Sequence, residues 1–254
     1  MQMMSETVDL GGVDIAYRSF VPQEHPSAAP VPVMLVHGMG GDSGTWDRFA
    51  RALTARGRRV ITVDLRGHGK SAHTLTYEFD SFGGDLLALI DHLGLTEVDL
   101  VGHSLGGYAV SLVAQRRPSL VRRLVLEELP IPIRPGDAPP SLTGKMPSVT
   151  ELWHAATSVV LHPRAVLAFD RSMTATALEQ FRRPNPQWWE SLADITAPTL
   201  VLRGGPGGMV DPVRLDAMIA EISTCRVEAF RTGHSIHRDG YSAFEATVLP
   251  FLTD

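Results

Sequence analysis

The residues best equipped for chemistry in this chain are one serine, a set of histidines and a few carboxylates. Ser104 lies in Gly102-His103-Ser104-Leu105-Gly106, a Gly-x-Ser-x-Gly pattern. Small residues on both sides allow a turn too tight for larger neighbours, and such a turn presents the hydroxyl as a nucleophile. The plainer alternative is a serine that only caps a helix. A serine hydroxyl is a weak nucleophile at neutral pH and needs an adjacent base, which a carboxylate then orients. Ten histidines compete for that role. Attack on a carbonyl also develops charge on oxygen, which preorganised N–H donors must meet. The backbone N–H of Leu105, directly after the serine, is one candidate donor.

Such a group works only if regular elements hold it. VPVMLVHG, RRVITVDLRG, VDLVGHS, VRRLVLEEL, APTLVLRGG and CRVEAF read as strands. They are apolar and β-branched with little alternation, as in parallel strands covered on both faces. VDLGGVDIAYRSF reads as an N-terminal hairpin turning at Gly11-Gly12. FARALTARG, FGGDLLALIDHLGL and YAVSLVAQRRP have helical spacing and stop at Gly or before Pro. Strand and helix alternate, so the class is α/β with a mostly parallel sheet flanked by helices. Ser104 falls where strand VDLV meets the next helix. The alternation breaks between Leu129 and Trp189, where PIPIRPGDAPP precedes the helix-like ELWHAATSVV and PRAVLAFDRSM and then RRPNPQWW. This segment is expected to be a helical cap. The expected organisation is a core first part at 1–128, a cap insertion at 129–189 and a core second part at 190–254.

In four places the chain resembles the α/β-hydrolase superfamily: VMLVHGMGG (Val33 to Gly41), DLRGHGKS (Asp64 to Ser71), GHSLGG (Gly102 to Gly107) and Gly233-His234. These come in the family's order and spacing, and the resemblance covers nearly the whole chain. It implies that Ser104 is the nucleophile, where some members use aspartate. It implies His234, after CRVEAF, as the base, with His237 as rival. It implies the N–H of Met39 as the second oxyanion donor, with glycines at 38, 40 and 41 letting backbone approach substrate. The family's usual acid slot, three residues after Gly204, holds Gly207, and Asp211 follows four residues later. Other members carry the acid one strand earlier, where this chain has Glu127 and Glu128. Strand alternation would aim only one of these at the site. Glu128 is preferred, with Asp211 as its rival and Glu127 third. His37, His68 and His103 read as structural, with His103 turned away from the serine's reaction. Gly38, His103, Trp153 and Trp188 are expected near the substrate pocket, and the cap histidines His154 and His162 could touch substrate.

Composition narrows the function classes. The net charge of −5 offers no basic excess for nucleic acid. Cys225, the single cysteine, can build neither an internal disulfide nor a thiolate cluster. The start lacks a basic segment followed by an apolar run, and no stretch reaches the roughly 20 apolar residues of a membrane span. A cytoplasmic protein without a membrane partner is therefore expected. GMGGDSG lacks the Lys of a P-loop, RGGPGG does not open a dinucleotide-binding unit, and no histidine–carboxylate cluster has metal-ligand spacing in the sequence. No cofactor or metal is expected.

The expected function is a cofactor-independent serine hydrolase for small to medium apolar carboxylic esters, lactones or thioesters. Alternatives on the same frame are carbon–carbon bond hydrolysis, perhydrolysis, a lyase reaction, or a receptor that keeps the pocket without turnover.

Overall fold

The structure, a computed structural model, describes residues 1–23, 30–137, 163–205 and 208–253. Its strands are β1 Gln2–Asp9, β2 Asp14–Val21, β3 Val33–Val36, β4 Val60–Val63, β5 Val98–His103, β6 Val121–Glu127, β7 Thr199–Arg203 and β8 Cys225–Ala229. They form one sheet in the order β1-β2-β4-β3-β5-β6-β7-β8. The β1–β2 and β2–β4 pairs are antiparallel and every other pair is parallel.

The apolar runs make strands because both faces of the sheet are covered. In β3, Met34 and Val36 join one apolar cluster while Val33 and Leu35 join the other. That is the two-residue period of a pleated strand with a core on each side. One face carries α2 Phe79–His92 and α3 Leu105–Arg116, and also α7 Pro212–Glu221. The other carries α1 Asp47–Thr54, the short α8 Ile236–Asp239 and α9 Tyr241–Thr253. In α2 the buried Phe79, Phe82, Leu86, Leu89 and Ile90 follow helical spacing, and Gly94 in the left-handed region closes its C-terminal end.

Among the described residues, three helices lie between β6 and β7: α4 Pro163–Ala168, α5 Met173–Arg182 and α6 Pro186–Glu190. PRAVLAFDRSM was expected as one helix-like piece but breaks after Ala168. There the N–H of Asp170 bonds the carbonyl of Gly67, and its carboxylate accepts from Tyr77 and from the N–H of Ser172. Docking to the DLRGHGKS loop outcompetes continuation of the helix. ELWHAATSVV lies outside the described residues. Among the described residues, no helix is long and apolar enough to cross a membrane.

Parallel pairing aligns the carboxyl ends of β3, β5, β6 and β7 along one edge. Val36 lies opposite Gly102, and His103 opposite Glu127. Loops beyond such strand ends are where open α/β sheets bind ligands.

Candidate active site

Ser104 sits between the last residue of β5 and the first of α3, with φ 50° and ψ −120°. Side chains rarely adopt this backbone, and the surroundings fix it. The Ser104 N–H donates to the Glu127 carbonyl at 2.8 Å, and its carbonyl accepts from Tyr108 at 3.0 Å. The flanking glycines answer a packing demand. A Cβ on Gly106 would lie 2.5 Å from the carbonyl oxygens of Val36 and His37, and one on Gly102 would collide with the Gly106 carbonyl. Leu105 opens α3, so its N–H belongs to the first turn, which has no intrahelical acceptor.

Across the cleft, His234 stands in the loop after β8, its side chain 27% exposed. Its Nδ1 lies 3.3 Å from Oε2 of Glu128. Glu128 is the residue just past β6; it is buried and also has left-handed backbone, φ 48°. That kink takes Glu128 off the strand's alternation. Its carboxylate also accepts from the N–H groups of Gly204 and Met209, both at 2.6 Å. The loop after β7, the usual source of the acid in the family, here donates its N–H groups to a carboxylate from β6. Gly208 permits this wrap, since a Cβ there would come within 2.9 Å of Glu128 Oε1.

The other side of the cleft is the turn after β3. His37 donates from Nδ1 to the Gly38 carbonyl at 2.7 Å and accepts from the Leu65 N–H at 3.1 Å. His68 donates from Nδ1 to Arg66 and accepts at Nε2 from the Gly40 N–H, both at 3.0 Å. Both nitrogens of each ring are committed, so these histidines act as neutral struts for the Gly38–Gly41 turn. Burial pushes the pKa of His37 down and that of His68 down to about 3, the latter helped by His37. A cleft of about 190 Å³ is lined by Gly38, Met39, Ser104, His234 and Arg238, among others. A larger hollow of about 370 Å³, between α2 and α5, shares no lining residue with it.

Some expected residues lie elsewhere. Asp211, the rival carboxylate, is exposed and caps α7, accepting from the Arg214 N–H at 2.9 Å. Trp188 is buried in the core; its Nε1 donates to Ser111 and its ring stacks near Tyr108. It joins α6 to α3 and does not line the cleft. His103, by contrast, does line the cleft: it is buried against Gly38 and donates from Nε2 to the His234 carbonyl at 2.9 Å. Burial, then the neighbouring His234 and His237, hold its pKa well below the usual imidazole value. His25, Trp153, His154, His162 and Gly207 lie outside the described residues.

The fold also gathers a group that spacing concealed. Ligand-type atoms of His103, Glu127 and His237 lie within 4.8 Å of one another, all buried. Glu127 and His237 are already hydrogen-bonded, with Nδ1 2.9 and 2.8 Å from the two carboxylate oxygens. These residues are 24 and 110 positions apart, from 103 to 127 and from 127 to 237, so no local motif could announce them.

Comparison with known proteins gives the frame a context. A family model described as the alpha/beta hydrolase fold matches residues 31–144. The chain is 28% identical over 251 residues to the sn-1-specific diacylglycerol lipase ABHD11 of Mus musculus, covering 87% of this chain and 80% of that protein. It is 30% identical over 264 residues to the 2-hydroxy-6-oxo-2,4-heptadienoate hydrolase of Pseudomonas putida, covering 90% and 91%. Its structure is similar to a thioesterase domain from a curacin biosynthetic pathway, with TM-score 0.77, 25% identity and coverage of 98% and 100%.

Proposed function

The chain belongs to the α/β-hydrolase fold family, and from that premise we propose that it is a serine hydrolase that cleaves small to medium apolar carboxylic esters or thioesters through an acyl-enzyme on Ser104. The observation that carries this reading is the strained Ser104 turn sharing one cleft with His234, whose far nitrogen meets the buried Glu128.

In this reading Nε2 of His234 takes the Ser104 proton as Oγ attacks the substrate carbonyl. Glu128 accepts from Nδ1–H, which fixes the tautomer and supports the imidazolium that forms. The oxyanion falls to the N–H groups of Met39 and Leu105, typically worth about 3 kcal/mol per donor. His234 returns its proton to the leaving alcohol or thiol. Water, activated by the same histidine, then releases the acid. The cap would close over the acyl side, so the divisions at 129 and 189 are proposed as its limits.

The test is turnover of p-nitrophenyl acetate and butyrate by wild type, Ser104→Ala, Glu128→Gln and Asp211→Asn. Loss in the first two variants with retention in the third supports the reading. Loss only with Asp211→Asn would return the acid to the later loop. A second reading, hydrolysis of a carbon–carbon bond beside a ketone, draws on the heptadienoate hydrolase relative. It gains ground if wild type turns over a vinylogous 1,5-diketone but gives neither turnover nor a burst with the esters.

A further inference from the structure

We propose that Glu127 and His237 form a second, buried carboxylate–imidazole pair that holds the backbone carrying His234, so that both are positioning residues of the reaction. This rests on the catalytic reading of Ser104, His234 and Glu128 and adds to it.

β6 ends at Glu127 and a second carboxylate, Glu128, follows it directly, and the segment after β8 carries two histidines three residues apart. The fold matches them in pairs. Glu128 meets His234, and Glu127 meets His237. The second match is the tighter one. Glu127 Oε1 accepts the His237 backbone N–H at 3.0 Å, and both oxygens face Nδ1 of the same residue. One carboxylate thus fixes the backbone and the ring of a single residue. Since a carboxylate only accepts here, Nδ1 carries the proton.

The pair is buried, Glu127 at 0% and His237 at 4% exposure, with His237 bordering the cleft. Apolar residues of the same volume would fill that space without the cost of burying charge. What the pair adds is direction. The His237 ring stacks on Trp46 at 4.2 Å and meets His103 edge-on at 5.0 Å. His103 in turn touches the His234 ring at 4.7 Å and bonds its carbonyl. Among the described residues Nε2 of His237 is buried with no partner, so no other bond there sets the ring's angle. The segment from His234 to His237 is therefore held by Glu128 on the catalytic ring, by His103 on the backbone beside it, and by Glu127 at the far end. Misplacing a catalytic group by about 1 Å costs on the order of a hundredfold in rate.

Two substitutions separate positioning from packing. His237→Ala removes the ring and its donor. His237→Asn also removes the ring but keeps an N–H donor near the place of Nδ1. With p-nitrophenyl butyrate, kcat for the alanine variant is expected to fall about tenfold to a hundredfold with KM within about twofold. The asparagine variant is expected to recover most of that loss. Glu127→Gln keeps the volume and an acceptor for the backbone N–H but loses the charge-assisted bond to the ring. It should lower kcat by about tenfold at unchanged KM, and it carries the test if the alanine variant does not fold. Equal losses in Ala and Asn would overturn the proposal in favour of ring packing on Trp46. So would wild-type kcat in folded His237→Ala or Glu127→Gln while Ser104→Ala and Glu128→Gln are inactive. One equivalent of zinc bound by wild type and lost in Glu127→Gln would overturn it by giving the pair to a metal. Full activity in Ser104→Ala would instead remove the catalytic reading beneath it.

Discussion

Ser104 and Glu128 are the two non-glycine residues with left-handed backbone among those described. Each such conformation costs about 1–2 kcal/mol, and persists only where its surroundings leave no alternative. For Ser104 the surroundings are the backbone of β3 and α3, pressed against Gly102 and Gly106. Gly106→Ala is therefore expected to destabilise the protein by about 4 kcal/mol or more, because its Cβ would meet carbonyl oxygens that cannot rotate away. Urea midpoints of wild type and variant check this. Asp211 gives the contrasting case. As a helix cap whose carboxylate accepts from the Arg214 N–H, Asp211→Ala should lower stability by about 1 kcal/mol and leave kcat for the p-nitrophenyl esters unchanged. A fall in kcat at unchanged stability would contradict the placement of Asp211 outside the site.

Between elements, hydrogen bonds to buried carboxylates and indoles join parts that the chain order separates. Asp99, fully buried in β5, receives guanidinium groups from Arg58 and Arg122, and both arginines also reach the Leu252 carbonyl near the end of α9. This clamp ties the last helix to the entry of β5 and β6, hence to the far side of the sheet from the cleft. Asp99→Asn would leave two guanidinium groups without their counter-charge. The expected loss is about 3–5 kcal/mol, read from chemical denaturation, with little change in KM. Where α6 meets α3, Trp188 Nε1 donates to Ser111 and Asn185 donates to the Tyr108 hydroxyl. Ser111→Ala should cost about 1–3 kcal/mol by stranding the indole N–H. Trp188 was expected near the substrate pocket, but its direction was not legible, because a single chain read locally does not show whether an indole faces the cleft or the sheet.

At the scale of the molecule, three buried histidines make stability depend on pH. His37, His68 and His103 all have their pKa pushed down, chiefly by burial, with His68 at about 3. The titratable neighbours are Asp64 and Asp42 for His37, His37 and His73 for His68, and His234, His237 and Arg238 for His103. In the unfolded chain these rings take protons near pH 6.5. Between about pH 6.5 and 3 the unfolded state thus binds more protons, so stability falls as pH is lowered through that window. Tm should be level from pH 8 to 7 and then drop steadily below about 6.5. Replacing His68 with Gln, which keeps one acceptor, should flatten that slope in a Tm-against-pH series. A parallel slope would mean that the ring titrates normally in the folded state.

The sequence by itself determined the frame and its sharpest point. The succession of strands and helices along the chain, the hairpin at Gly11-Gly12 and the turn at Ser104 follow from local patterns, since apolar runs, helical spacing and the steric needs of glycine act within a few residues. It also placed His234 beyond the last strand, through the order of motifs. Tertiary structure alone decided which carboxylate meets that histidine. Glu127, Glu128 and Asp211 are chemically alike, and their roles depend on a one-residue kink past β6 and on where the loop after β7 lays its N–H groups. It likewise decided that Glu127 would find His237, a bond across 110 positions that exists because parallel pairing brings strand ends to one edge. Such meetings are set by the summed geometry of the sheet, which no short window of sequence contains.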